Sequence, residues 1–187
     1  IHESFTTYSE TLYVESLWGK ADGDKYTQGI RNNIQNDKAI IGQYGVRNEG
    51  SGDMYPKGSN MIHTIRTVIN NDEKFRQILR GLNKDFYHQT VTSEQIQNYF
   101  IEKSGVDLKS IFDQYLRTAK IPTLEYKQTG NQLTYKWTNV IPNLKFPIRL
   151  ADEQELKPTE QAQTVTLKSD KPVEFNKNYY IEVKQVN

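Results

Sequence analysis

The sequence has no cysteine, which excludes disulfides, thiol catalysis and thiolate metal sites. No run of apolar residues approaches the roughly 20 needed to cross a bilayer as a helix. Neither sign of charge dominates. Lys and Arg number 24, Asp and Glu 23, and a net charge of +1 leaves no electrostatic footprint for nucleic acid or an anionic membrane surface. Histidine is scarce: His2, His63 and His88 are all there are, and no two stand four residues apart. The His-Glu-x-x-His zinc helix needs that spacing so that both imidazoles meet one metal from one face. His2-Glu3 begins such a motif, but Thr6 occupies the partner position. The chain opens on Ile1, directly in helix-like sequence, and reads as a processed or excised piece without compartment information.

What is present divides into two textures. Twelve tyrosines and seven phenylalanines supply core material despite low overall hydropathy. Through about residue 120 the apolar period is helical. Phe5, Tyr8 and Leu12 share a face, and Gly19 closes that segment. Tyr26, Ile30 and Ile34 predict a second, weaker helix, followed by an irregular loop from 36 to 53 with four glycines. Asp53 is the expected N-cap of the next helix, with Pro56 in its first turn and Met61, Ile65 and Val68 inward. Asp72, Ser93 and Asp107 are the expected starts of three more helices.

After Pro122 the period becomes two. Leu124-Tyr126 and Leu133-Tyr135-Trp137 alternate with polar residues around a Thr129-Gly130-Asn131 turn. Further strands are expected at Phe146-Ile148-Leu150, Val165-Leu167 and Tyr179-Ile181-Val183. The fold class is α+β, a mostly helical lobe over 1–120 and a small antiparallel β-sandwich over 121–187. A sandwich of this size is marginal alone and is expected to pack on the helices.

Two short segments carry the chemistry. His-Glu-Ser-Phe-Thr-Thr-Tyr (2 to 8) resembles the Asn-Glu-Gly-Phe-Ala-x-Tyr segment of the aminopeptidase N family of gluzincin metallopeptidases. Tyr55-Pro-Lys57-Gly58 resembles the Tyr-x-Lys-Gly stretch that follows it. Ile111 to Leu116, then Ile121-Pro122, is similar to that family's final catalytic helix passing into its β-sandwich domain. The likeness implies the C-terminal part of a thermolysin-like catalytic domain. It implies Glu3 as third zinc ligand, Tyr55 as donor to the tetrahedral intermediate, and Lys57 and Gly58 in support. His2 and Ser4 depart from the family's Asn and Gly without touching the carboxylate. On residue chemistry alone, Glu3 reads as a solvated acid favouring a helix N-terminus, and Tyr55 as one tyrosine among twelve.

The family's histidine ligands and general base have no counterpart in the chain, since catalytic zinc takes three protein ligands. The resemblance therefore implies zinc and peptide substrates in a parent aminopeptidase, with the missing N-terminal catalytic segment as intramolecular partner. It implies neither stoichiometric zinc nor activity in these residues alone. The alternative is a non-catalytic module or pseudoenzyme binding a peptide, glycan or subunit through Tyr126, Tyr135, Trp137, Tyr179 and Tyr180. Tyr179 and Tyr180, being adjacent in an expected strand, point to opposite faces, which leaves one of them available for exposure. The remaining histidines, His63 and His88, read as ordinary residues. Arg76, Arg80 and Arg117 read as solvated faces or ion pairs.

Overall fold

A computed structural model describes all residues from Ile1 to Asn187. Six helices precede six strands. The helices are α1 (His2–Trp18), α2 (Lys20–Gly29), α3 (Pro56–Ile69), α4 (Asp72–Asp85), α5 (Ser93–Ser104) and α6 (Lys109–Arg117). The strands are β1 (Thr123–Thr129), β2 (Gln132–Thr138), β3 (Ile148–Arg149), β4 (Glu155–Leu156), β5 (Gln163–Thr166) and β6 (Glu182–Gln185).

Gly19 ends α1 with φ 93, a conformation open to glycine, and its N–H returns to the Glu15 carbonyl. The second apolar segment is shorter than the spacing of Tyr26, Ile30 and Ile34 predicts. α2 stops at Gly29 and a single 3-10 turn, Ile30–Asn33, follows.

Most of the expected caps move by one residue or change role. Asn71, not Asp72, accepts from Lys74 N, and Thr92, not Ser93, forms a capping box with Gln95. In both cases the side chain one residue earlier is the one in extended backbone, from which an oxygen reaches the third helical N–H. Leu108, with no side-chain cap, precedes α6, while Asp107, one residue earlier, accepts from Lys109 N at 3.4 Å and pairs with Lys145 at 3.0 Å. Asp53 does not cap α3. Its carboxylate is turned back to accept from the backbone N–H groups of Gln35 (2.9 Å) and Asn36 (2.7 Å). Ser51 caps the short 3-10 turn Gly52–Met54 in its place.

α3 is the axle. Every residue from Lys57 to Arg66, and Val68, is buried. Amphipathic periodicity puts polar residues outward, but on this helix the polar side chains are inside, and all but Ser59 find a partner. Lys57 Nζ donates to the Thr118 carbonyl at 2.8 Å, and Asn60 Nδ2 donates to the Thr27 and Pro56 carbonyls. Thr64 Oγ1 accepts from Tyr180 N at 2.9 Å.

β1 and β2 form the expected hairpin, Thr129 facing Gln132 across Gly130-Asn131. The remaining pairing departs from a purely antiparallel sandwich. One sheet has the order β5-β2-β1-β6, with β6 parallel to β1, and β3-β4 is a separate two-stranded ribbon. Tyr179 and Tyr180 lie before β6 rather than in it, and both are buried, at 2% and 7% exposure. Outside a pleated strand nothing compels adjacent side chains to opposite faces, so neither becomes a surface aromatic.

A single core of 28 buried residues runs through both regions. Phe146 joins them, with ring centroids 6.4 Å from Tyr115 of α6 and 5.5 and 5.7 Å from Trp137 and Tyr179. The Tyr115 hydroxyl donates to the Tyr180 carbonyl. No helix is long and apolar enough to cross a membrane.

Candidate active site

α1 and α3 run parallel, as three contacts along them establish in order. Ser4 meets Gly58, Tyr8 meets His63, and Glu15 meets Arg66. The first contact is the tightest. A Cβ on Gly58 would stand 2.0 Å from Ser4 Oγ and 2.6 Å from Ser4 Cβ, so only glycine allows this approach. Ser4 Oγ also donates to the Met54 carbonyl at 2.9 Å. Glu3 and Tyr55 flank these contacts, so both lie where the two helices begin, at one end of the pair.

Glu3 is half-buried and in the first turn of α1, where the helix dipole favours a carboxylate. Its Oε1 is 3.2 Å from His2 Nε2, an exposed imidazole. Tyr55 is 46% exposed and directly precedes α3. Its backbone is anchored on both sides, N–H to the Gly52 carbonyl at 3.3 Å and carbonyl from Ser59 N at 3.0 Å. Asp53 ties the loop before it to residues 35 and 36. Lys57 is fully buried and holds the start of α3 to the end of α6. Burial pushes its ammonium below the usual lysine value, opposed by Asp53 and Asp37.

A groove of about 740 Å³ lies between α1, α4 and α5 and is lined by His2, Phe5, Thr6, Leu79, Leu82 and Phe86 among others, but not by Glu3 or Tyr55. No group of three or more His, Asp or Glu side chains is placed to hold a metal. Glu3 offers one carboxylate, with His2 beside it, so the donor set of this chain does not by itself fit zinc.

Sequence reading missed the polar core behind this junction. Arg66, 2% exposed, forks onto Glu15 (2.6 and 3.0 Å) and reaches Asp72 at 2.8 Å. Hydrogen bonding from Arg66 holds both carboxyls below the ordinary carboxylate range. His63 is fully buried, its Nδ1 3.1 Å from the Tyr8 hydroxyl and its Nε2 3.5 Å from Asp24. The available signal was opposite charge on two expected helices, Glu15 and Arg66, which no spacing rule connects across 51 residues.

Burial lowers the His63 pKa from 6.5 to about 4, against the pull of Asn178 and Asp24. The sign follows from linkage. Below pH 6.5 the unfolded chain takes up a proton that the native one refuses, so stability is whole above 6.5 and declines toward pH 4. His63→Gln is expected to flatten that decline by up to ~3 kcal/mol, at about 1.4 kcal/mol per pH unit, in urea titrations of both proteins across this range.

The fold and these segments have known counterparts. The crystal structure of Legionella pneumophila aminopeptidase A in complex with aspartic acid superposes with a TM-score of 0.58 over 99% of this chain and 24% of that one. At 17% identity that likeness speaks for the fold alone, a helical region followed by an antiparallel-rich β region. In sequence, residues 1–115 match the Peptidase family M1 domain, and the chain belongs to that family. It is 24% identical over 147 residues to the aminopeptidase N of Lactococcus lactis subsp. lactis, covering 71% of this chain and 17% of that protein. The chain thus spans 17% and 24% of the lengths of these two proteins.

Proposed function

We propose that these residues form one wall of the active site of a zinc aminopeptidase, the C-terminal part of its thermolysin-like domain with the β region that follows. Glu3 supplies one zinc ligand. Tyr55 donates its O–H to the oxyanion that forms as a peptide carbonyl is attacked. Gly58 sets the spacing of the two helices, and Lys57 holds the base of α3. The supporting observation is the parallel α1–α3 pair, which starts both segments at the same end. Two further ligands, the general base and the opposite wall come from the N-terminal catalytic segment, an intramolecular partner that closes the open junction.

Alone, the 187-residue chain is expected to bind no stoichiometric zinc by calorimetry and to release no chromophore from amino-acyl substrates. Joined to a segment bearing His-Glu-x-x-His, it is expected to gain both, and Glu3→Ala is then expected to lose the metal. Zinc retained at full occupancy in that variant would sink the assignment of Glu3. Of the five aromatics of the alternative binding surface, Tyr135, Trp137, Tyr179 and Tyr180 are core residues, and Tyr126 is partly buried against that core.

A further inference from the structure

The Arg66 guanidinium joins three elements from one buried position. Its two terminal nitrogens grip Glu15 of α1, its Nε holds Asp72 at the head of α4, and Nη1 also lies 3.4 Å from the Tyr8 hydroxyl. Arg76 of α4 adds a second cation to Glu15 at 2.9 Å, and the Phe75 ring lies under Arg66, 5.7 Å from centroid to guanidinium carbon. Apolar contact between parallel helices is non-directional and tolerates a slide by one ridge. A buried fork does not. A slide of α1 by one turn would leave Arg66 or Glu15 without its partner in a dry setting, the circumstance in which buried charge pairs specify register.

We infer that Arg66 is a positioning residue that locks the axial register of α1 on α3 and so fixes Glu3 relative to Tyr55. An α-helix is a stiff rod, so register set at Glu15 is register set at Glu3, about 18 Å away along the axis at ~1.5 Å per residue. The neutral contacts nearer the junction, Ser4 to Met54 and Tyr8 to His63, align the helices but carry no comparable directional charge. The inference rests on reading Glu3 and Tyr55 as one site, but its test uses neither zinc nor activity.

The absence of cysteine permits clean double labelling. Nitroxides at His2→Cys on α1 and Lys120→Cys, both exposed, report α1 against the base of α3, because Lys57 holds Thr118 and Gln114 holds the Lys120 carbonyl. Pulsed dipolar spectroscopy is expected to give one narrow distance in the parent labelled chain. Arg66→Lys keeps the charge but loses the fork, and is expected to add a second population displaced by up to about one turn, ~5 Å. Glu15→Gln, which leaves Arg66 its Asp72 partner, is expected to show the same population at lower weight, and serves if Arg66→Lys does not fold. Leu133→Ala, a buried deletion in β2, is expected to lower the unfolding midpoint while keeping the single distance. The inference is overturned if Glu15→Gln and any folded Arg66→Lys keep the native distribution, or if Leu133→Ala broadens it equally. Loss of the Glu3 assignment, by contrast, would appear only as retained zinc in the longer enzyme.

Discussion

Replacing Tyr55 by Phe in an enzyme that completes this site is expected to lower kcat by about 10²- to 10³-fold, the usual loss for one preorganised oxyanion donor. KM, zinc content and thermal stability are expected to stay nearly constant. The reason lies in how Tyr55 is held. Its backbone is tied to Gly52 and Ser59 and its loop is pinned by Asp53, while its side chain is 46% exposed and contributes little to the core. Deleting one exposed oxygen changes folding by less than about 0.5 kcal/mol, so lost turnover cannot be ascribed to lost fold. An interaction made only in the transition state lowers kcat and kcat/KM together, which steady-state kinetics on one amino-acyl substrate reads directly. Unchanged kcat in the Phe variant would remove Tyr55 from the chemistry and leave it a surface tyrosine.

The largest stability effect is expected at Phe146. Its truncation to Ala removes a side chain at 2% exposure that touches Tyr115 on one side and Trp137 and Tyr179 on the other. Large-to-small changes of this kind cost about 3–5 kcal/mol. The location predicts more than the magnitude. Tyr115 and Tyr180 are also joined by a hydrogen bond, and Thr64 of the axle helix accepts from Tyr180 N, so the β region is bound into the helical core. Far-ultraviolet ellipticity, dominated by helix, and the fluorescence of Trp137 and Trp18 are therefore expected to move together in urea, in one transition shifted to lower denaturant. Two separate transitions, with only the second displaced, would show the sandwich-sized region folding independently.

Local rules carried much of the architecture. The change from helical to alternating period at Pro122, the Gly19 stop and the two-residue Gly130-Asn131 turn are set by neighbouring residues and were legible from them. The pairing of β6 was not, because its parallel partner β1 lies some 59 residues earlier and a parallel pair leaves no turn in the sequence. α3 was legible as a helix but not as the centre of the molecule. Lys57, Asn60, His63 and Arg66 look like a solvated face until Thr118, Thr27, Tyr8 and Glu15 are brought to them from other elements. For the candidate site, family resemblance pointed to Glu3 and Tyr55. It did not point to Arg66 and Glu15, the charges proposed to set one against the other.

The missing Cβ at Gly58 has a mechanical corollary. Two rods touching backbone to side chain at their tips, cross-braced again at a tyrosine–histidine pair and at an ionic fork, have no slack between them. They form one braced unit, and in the proposed enzyme any opening and closing around a substrate would fall to the chain that faces it.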